Sequence, residues 1–495
     1  MVFNSVQFLI FFPIVTLLYF AISHKYRWFF LLLASYYFYI AWNFKLIWLI
    51  LCTTLISYGA ALVLKKTKKT KYKKLVLAIA LVCCLGVLVF FKYFDFLSLS
   101  VTEFLNFLHI PAREFTLNLV LPVGISFYTF QTLSYVIDVY YGRMEPEKHF
   151  GYYALYVSFF PQLVAGPIER PQDLIPQLKT ERKFTFDNFI AGSKIVVSGF
   201  VKKIVVADTI AVYVNSVYND VSHANGLSIL IATLLFAVQI YCDFSGYTDI
   251  AVGCARIMDV KLSKNFDYPY ISKSIKEFWS RWHISLSSWL RDYVYIPLGG
   301  NRCSKQRQMF NIFMVFLISG IWHGAAWTFI LWGILHAVYQ IVGALTMKWR
   351  DGIWKRIGFE TESGVVVFAR QLITFLMVDF AWILFRANSI SDFDVMAKKL
   401  FTDWEISETY IHSALSSLAI DGKQLFICIL CVLIMVLCDR MYTNGSNFNL
   451  ISQTDAALVS FSAQKNILCL LWLIAIAWLL LLSQNGASSF IYFQF

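Results

Sequence analysis

The chain has 495 residues, of which 59% are hydrophobic and only 15% are charged. Because a soluble domain carries about 25% charged residues, this composition excludes an ordinary soluble protein and indicates a polytopic membrane protein. The net charge of +12 does not indicate a nucleic-acid partner, because the basic residues cluster in short loops beside apolar runs rather than on one continuous face. We therefore expect the lipid bilayer as a partner and no nucleic acid.

Apolar runs that suit membrane-spanning helices open the chain, at about residues 6–22, 28–42, 44–64 and 75–94. The first run has no basic segment before it and no small-residue cleavage site, so we interpret it as a retained span rather than a cleaved signal peptide. Basic loops follow the first and third runs. Since two spans separate these loops, both lie on one side, which the positive-inside rule assigns to the cytoplasm, with the N-terminus outside. Residues 95–115 predict an extracytoplasmic helix at the membrane interface.

The next segments are more polar than lipid-facing helices. Residues 121–142 contain Gln131 and Asp138, which predicts a helix buried against other helices. Residues 150–165 are apolar and run into a proline-rich stretch, so we expect a re-entrant element followed by a surface loop. That loop is predicted to extend to residue 186.

A polar region divides the later spans. Residues 189–217 predict a helix with one face on protein or at the surface, and 227–252 predict a span. Residues 261–308 carry charges throughout and are predicted to leave the membrane core on the cytoplasmic side. If residues 274–302 form one helix, that helix has a polar face opposite an apolar arc. This pattern predicts an amphipathic helix at the membrane interface. The arc consists of Ile275, Phe278, Trp279, Trp282, Leu286, Trp289 and Leu290.

The remaining spans are predicted at about 309–347 (one long helix or two broken ones), 365–384, 424–436 and 467–482. The polar loop 387–423 has no fold that the pattern predicts. Cys428 and Cys431 have a metal-like spacing but no second ligand pair nearby, so packing is the favoured interpretation and no metal site is predicted. The sequence also has no G-x-S-x-G, Walker A or H-E-x-x-H motif.

One histidine lies deep in an apolar run. His323 is near the middle of 310–335 and lies 16 residues beyond Arg307, the last basic residue of the cytoplasmic segment, which is about 24 Å along a helix. Ionisable residues at that depth are costly and mark functional sites by default. The small residues around it include Gly320 and Gly324, whose spacing lets a neighbouring backbone or a substrate approach closely. A histidine that only hydrogen-bonds between helices is the alternative.

Two further histidines are weaker candidates. His283 lies at the edge of the apolar arc of the predicted interface helix, where a histidine is usually just an amphipathic residue at a wet boundary. His336 is 13 residues after His323 and would point elsewhere on a continuous helix, so we interpret it as structural.

Long motifs occur in order along the chain: LPVGISFYTFQTLSYVIDVY (121–140), FFPQLVAGPIERP (159–171), YCDFSGYTDIAVG (241–253), NFDYPYISKSIKEFWSRWHISLSSWLRDYVYIPLGGNR (265–302), SGIWHGAAWTFILWG (319–333) and FIYFQF (490–495). In these motifs the chain resembles the membrane-bound O-acyltransferase family, within it the bacterial polysaccharide branch typified by alginate O-acetyltransferases. The resemblance implies that His323 is the catalytic histidine and His283 a second functional one. It covers nearly the whole chain.

The resemblance also implies an architecture, a single transmembrane domain over 1–495. We expect N-terminal spans over 1–116, a catalytic core over about 117–386 and C-terminal spans over about 387–495. The implied fold class is an all-α polytopic membrane protein with about 10–13 membrane-embedded helices, plus interfacial and re-entrant helices, around a central tunnel. The implied location is the bacterial cytoplasmic membrane.

The implied reaction is O-acetyl transfer from a cytoplasmic thioester, acetyl-CoA or another acyl thioester, with no permanently bound cofactor. The acceptor is expected outside, as a glycan hydroxyl or a serine of a partner acetyltransferase that modifies a polysaccharide. Neutral imidazole suits the required proton removal near pH 7. Two alternatives stay open: D-alanyl transfer towards teichoic acid, and a transporter or channel in which the buried histidine relays protons.

Overall fold

The computed structural model describes residues 1–433, except 165, 425, 427 and 431, and these residues form helices, turns and loops without a β-strand. The all-α prediction is confirmed. The α-helices are α1 Val6–Ala21, α2 His24–Ile40, α3 Ile47–Lys66, α4 Thr70–Phe107, α5 Ile125–Tyr140, α6 Phe150–Ser158, α7 Phe160–Leu163, α8 Pro171–Lys179, α9 Phe186–Phe200, α10 Asp208–Tyr218, α11 Gly226–Ile257, α12 Ile275–Arg281, α13 Ile284–Leu290, α14 Lys305–His323, α15 Trp327–Arg356, α16 Gly364–Arg386, α17 Ile390–Thr402 and α18 Glu408–Ser417.

The described residues form two compact units. The first consists of Met1–Ser198 with Tyr247–Ser263, and the second of Gly199–Gly246 with the described residues from Lys264 onward. Helix α11 contributes residues to both. The predicted division of the chain into N-terminal spans, catalytic core and C-terminal spans stays a prediction.

Helices suited to a bilayer confirm a multi-pass membrane protein. In the described part, five are long and apolar enough to cross a membrane: Phe44–Lys66, Thr70–Phe107, Gly226–Ile257, Trp327–Arg356 and Gly364–Arg386. Helix α1 is a shorter apolar helix. The predicted span 467–482 and the motif 490–495 lie outside the described residues, as do six of the thirteen residues of the predicted span 424–436. The total of about 10–13 membrane-embedded helices and the central tunnel stay predictions.

Helix α4 corrects one prediction in the first unit. It runs unbroken for 38 residues, about 57 Å, so the separate interfacial helix predicted over 95–115 is wrong. No glycine or proline lies between residues 87 and 110, and the helix ends only before His109, which has a φ of 62°. The Asp95 carboxylate accepts hydrogen bonds from the N–H groups of Leu117 and Asn118, at 2.7 and 3.0 Å. These bonds hold the following segment against the helix.

The polar middle of the first unit is buried, as predicted. Helix α5 is buried along most of its length. Helices α6 and α7 are separated by Phe159 and are also almost completely buried, so protein encloses this irregular backbone; its re-entrant position in a membrane stays a prediction. The prediction that a surface loop follows, up to residue 186, is partly wrong. Residues 171–179 form helix α8, which starts with Pro171 and buries Leu174 and Ile175.

The predicted helix over 189–217 is interrupted by a π-helical segment, Val201–Ala207. Its Lys203 is 1% exposed, and the Nζ atom lies 2.7 Å from a carboxylate oxygen of Asp208 and of Asp243. A buried charge requires such partners, because moving an unpaired charge out of water costs several kcal/mol. The sequence pattern did not predict that Lys203 is buried.

The single amphipathic helix predicted over 274–302 is wrong. Helix α12 ends at Arg281, and α13 begins at Ile284. The break is set by a distant segment, because the N–H of Ile284 donates to the backbone oxygen of Asn265 at 2.9 Å, and the N–H of Asp267 donates to the Arg281 carbonyl at 2.9 Å. The apolar arc itself is confirmed: all seven of its residues are buried. The arc therefore faces protein. The position of 261–308 outside the membrane core stays a prediction.

Serine caps explain where several later helices start. Ser274, Ser304, Ser389 and Ser407 each accept a hydrogen bond from the backbone N–H three residues on, at the starts of α12, α14, α17 and α18. Such caps satisfy N–H groups that a helix leaves without partners. The loop 387–423, whose fold the sequence pattern did not predict, therefore contains two helices.

Candidate active site

His323 is the last residue of α14 in the second unit. Gly324 and Ala326 that follow are extended, and α15 starts at Trp327. Of the two forms predicted for 309–347, the structure therefore shows the pair of broken helices. His323 lies at the break, where the backbone turns from one helix into the next.

Glycines hold the two helices of this hairpin in close contact. A Cβ atom on Gly320 would lie 2.4 Å from the Phe329 carbonyl oxygen, and one on Gly333 would lie 2.4 Å from the Phe316 carbonyl oxygen. Real Cβ atoms do not approach backbone this closely, so only glycine fits at these two positions. The sequence predicts that Gly320 lets a backbone or a substrate approach closely. In the structure it is the backbone of α15 that approaches Gly320.

The His323 side chain is 3% exposed and lies among aromatic rings. Its ring centroid is 5.0 Å from that of Trp322, 4.9 Å from that of Trp332 on α15 and 5.3 Å from that of Phe385 on α16. Three helices thus position one imidazole in an apolar surrounding. Such a surrounding strengthens polar interactions with any group that enters it.

His283 is completely buried, so its predicted place at a wet boundary is wrong. It lies in the break between α12 and α13 with a φ of 45°, an uncommon conformation for a residue other than glycine. Its Nδ1 atom is 3.0 Å from Oδ1 of Asn265, and the ring of Phe244 stands perpendicular to the imidazole, centroids 4.8 Å apart. Burial lowers the pKa of His283 to about 3, so the imidazole is neutral near pH 7.

The structure brings the two predicted site histidines to the same indole. The Trp322 ring centroid is 5.8 Å from that of His283 and 5.0 Å from that of His323. His336 contacts the Trp332 ring, with centroids 4.8 Å apart, and its Nδ1 accepts a hydrogen bond from the indole N–H of Trp279 at 3.2 Å. This bond fits the structural interpretation of His336.

Two buried polar atoms beside His323 have no hydrogen-bond partner among the described residues: Oγ of Ser319 and Nε1 of Trp332. Ser319 is one helical turn before His323. Leaving such groups unsatisfied costs free energy, so each is a position where a bound group or water would be stabilised. Both atoms are suited to a hydrogen bond with a polar substrate.

Sequence reasoning missed Asn265, Trp322 and Trp332 as parts of this site. All three lie inside the motifs that carry the resemblance, but nothing in their spacing places them beside a histidine. Asn265 precedes His283 by 18 residues and contacts it only through the fold. The buried tryptophans resemble ordinary core residues by position.

No metal centre is evident in the part of the chain that the structure describes, because no three His, Cys, Asp or Glu side chains there are grouped to hold an ion. Cys428 is buried in the hydrophobic core, and Cys431 lies outside the described residues.

Known proteins resemble this chain over long stretches. The sequence profile of the MBOAT, membrane-bound O-acyltransferase, family matches residues 147–384, which include His283 and His323. A probable alginate O-acetylase of Pseudomonas putida is 34% identical over the full length of both chains. The chain belongs to the membrane-bound O-acyltransferase family. A peptidoglycan O-acetyltransferase of Helicobacter pylori is 36% identical, covering 73% of this chain and 71% of its own.

Membership of the membrane-bound O-acyltransferase family makes this protein an O-acyltransferase, which favours the enzyme over a transporter or channel. A more distant relative, the teichoic acid D-alanyltransferase of Bacillus subtilis, is 30% identical over 55% of this chain and 70% of its own. The family therefore contains relatives of this chain named for two different acyl groups.

Proposed function

We propose that the protein takes an acetyl group from a cytoplasmic thioester, acetyl-CoA or another acetyl thioester, and passes it across the cytoplasmic membrane. The acceptor is an extracytoplasmic polysaccharide hydroxyl, or a partner acetyltransferase that delivers the group to one. The observation that carries this proposal is the buried His323 at the break between α14 and α15, enclosed by aromatic rings and adjoined by Trp322, which also contacts His283.

The proposed chemistry assigns His323 the role of general base. A neutral imidazole takes the proton from the acceptor hydroxyl as the hydroxyl oxygen attacks the thioester carbonyl. The new C–O bond forms, the C–S bond breaks, and the departing thiolate takes up the proton. Transfer of the acetyl group to the imidazole itself, before it reaches the acceptor, is the alternative route through the same residue.

Polar atoms near His323 support a substrate carbonyl at this place. The indole N–H of Trp332 is a donor without a partner among the described residues, and its ring lies 4.9 Å from that of His323. A donor of this kind stabilises the negative charge that develops on a thioester oxygen during attack. Its burial makes the interaction stronger than it would be in water.

Acetyl is favoured over D-alanyl by the extent of the similarity. The alginate O-acetylase relative matches the full length of this chain, whereas the D-alanyltransferase matches 55% of it. Purified protein in proteoliposomes should release free coenzyme A from labelled acetyl-CoA and acetylate a glycan acceptor. Transfer of D-alanine from a loaded carrier protein, with no acetyl transfer, would support the alternative and contradict our proposal.

The envelope gives a second readout of the same proposal. Cells that lack the protein should lose O-acetyl groups from an envelope polysaccharide, and the wild-type protein should restore them. Restoration by His223→Gln but not by His323→Gln is expected, because His223 is exposed and the proposal gives it no chemical role. Unchanged acetylation of every envelope polysaccharide in cells without the protein would contradict the proposed acceptor.

A further inference from the structure

Asn265 contacts His283 with a hydrogen-bond acceptor rather than a donor. Its side chain is 1% exposed, and its Oδ1 atom accepts hydrogen bonds from the backbone N–H of Ser285 at 3.2 Å and from the Ser285 hydroxyl at 2.9 Å. The same oxygen is 3.0 Å from Nδ1 of His283. One amide oxygen therefore faces all three groups.

The backbone N–H of Ser285 decides which end of the Asn265 amide lies here. A backbone N–H is always a donor, so the atom that it meets is the amide oxygen and not the NH2 group of a flipped side chain. An amide oxygen carries no proton. The nitrogen of His283 that lies 3.0 Å from it must then carry the proton of that hydrogen bond.

A neutral imidazole has one proton, so a protonated Nδ1 leaves the lone pair on Nε2. The cationic form is excluded near neutral pH, because burial lowers the pKa of His283 to about 3. The backbone helps to hold the ring, since the N–H of Ile284 donates to the Asn265 backbone oxygen at 2.9 Å. Asn265 thus contacts both the main chain at Ile284 and the imidazole of His283.

We propose that Asn265 is a positioning residue that holds His283 as the Nδ1-protonated tautomer, so that Nε2 accepts a hydrogen bond from a substrate hydroxyl, thiol or amide group. Its significance for catalysis rests on the proposed function. A neutral acceptor does not serve as the positive charge that binds phosphates of a donor such as acetyl-CoA. His283 therefore acts on an uncharged, proton-bearing part of a substrate.

The tautomer can be read without any activity. Protein labelled with nitrogen-15 in its histidine rings would be studied by solid-state NMR in liposomes, and the His283 signals assigned by their loss in His283→Gln. We expect a protonated Nδ1 and an unprotonated Nε2 in the wild type, and loss of this single tautomer in Asn265→Leu. A protonated Nε2 or a doubly protonated ring in the wild type would overturn the proposal.

Activity gives the second test, with a matched control. Asn265→Leu should lower kcat by about 10- to 100-fold, the range seen when the partner that orients a metal-bound histidine is removed, with little change in the donor KM. Asn265→Asp keeps an acceptor oxygen and should recover most of that loss. Asn225 is also buried in the same unit, and its Oδ1 accepts from the backbone N–H of Ser228 at 2.9 Å. Asn225→Leu removes a similar hydrogen bond to a backbone N–H, but this bond does not position a histidine. This variant should therefore retain normal acetyl transfer per folded molecule.

The two proposals fail in different ways. If the wild type transfers no acetyl group but shows the expected tautomer, the proposed function fails and the assignment to Asn265 stands. If acetyl transfer is normal in the wild type and equally normal in Asn265→Leu, the role of Asn265 is refuted and the proposed function stands.

Discussion

His323 and His283 are both buried, but the backbone holds them differently. His323 ends a regular helix whose Gly320 packs against the next helix, whereas His283 lies in a helix break with a positive φ. A residue kept in that conformation costs of order 1 kcal/mol or more, which the surrounding hydrogen bonds must offset. The contacts from Asn265 supply those bonds.

Burial of His283 predicts a pH dependence of stability. The unfolded chain binds a proton at His283 with a pKa of about 6.5, while the folded protein binds it only near pH 3. Between these values the unfolded state holds more protons, so this contribution to stability is complete above about pH 6.5 and decreases as the pH falls. The loss approaches about 1.4 kcal/mol per pH unit within that window.

The measurement is thermal unfolding in detergent at pH 7.5 and pH 5. The wild-type Tm should fall more between these two values than the Tm of His283→Gln, because the variant lacks the titrating group. Comparing the two slopes removes any difference in stability at pH 7.5. Parallel slopes would contradict the burial of a neutral His283.

The sequence pattern indicated His323 and the family resemblance indicated His283 as candidate site residues, and their catalytic roles stay predictions. The surroundings of the two histidines could not be predicted from the sequence. His323 is recognisable in the sequence because an ionisable residue inside a long apolar run is energetically costly. Asn265, by contrast, lies 18 residues before His283, and only the folded chain brings its side chain to Nδ1. Polar residues of this kind have no periodic signal, since their contacts depend on tertiary structure.

At the scale of elements, α14 and α15 form the scaffold of the site. The two helices approach each other so closely that Gly320 and Gly333 are in contact. A Cβ atom placed on Gly333 would lie only 3.1 Å from the Cα atom of Gly320. This contact places Trp332, next to Gly333 in the chain, against the ring of His323. The helix hairpin and the imidazole environment are therefore coupled.

Gly333→Ala should destabilise the protein and lower acetyl transfer. Its Cβ would clash with the backbone oxygen of Phe316, which no side-chain movement relieves, and overpacking of this kind costs about 1–3 kcal/mol. The control is Gly343→Ala in the same helix, where the nearest atom is a flexible arginine end at 4.0 Å. We expect a lower Tm for the first variant and an unchanged or higher Tm for the second. Equal Tm values would show that the hairpin tolerates separation.

Element boundaries were predicted well where local signals set them and poorly where distant residues did. The apolar runs of α11 and α16 coincide with helices within a few residues. The break between α12 and α13 contains neither glycine nor proline, and hydrogen bonds from 265–267 create it. The reverse error occurred in α4, where a predicted boundary at residue 95 has no local breaker and the helix continues.

At the scale of the whole molecule, composition and long apolar runs established a multi-pass membrane protein. Orientation follows from the loops, because the lysine-rich turn between α3 and α4 is predicted to be cytoplasmic. Residues beyond the C-terminal end of α4 are then predicted to be extracytoplasmic. The length of α4 agrees with a complete crossing, since it exceeds the roughly 30 Å of a hydrocarbon core.

Single cysteines would test this orientation. Lys68 and Arg113 are both exposed and lie on either side of α4. A membrane-impermeant thiol reagent should label Arg113→Cys in intact cells, and Lys68→Cys only after the cells are permeabilised, each measured against the parent protein. Labelling of Lys68→Cys in intact cells would invert the predicted topology.

The central claim is that His323 performs acyl transfer. Its most direct test is the rate of acetyl transfer from labelled acetyl-CoA by purified His323→Gln in proteoliposomes, with His223→Gln as a control that alters an exposed histidine of the same unit. Loss of a general base lowers the rate by about 100-fold or more, so we predict that loss for His323→Gln and near-normal transfer per folded molecule for His223→Gln. Near-normal transfer by a folded His323→Gln would contradict the account.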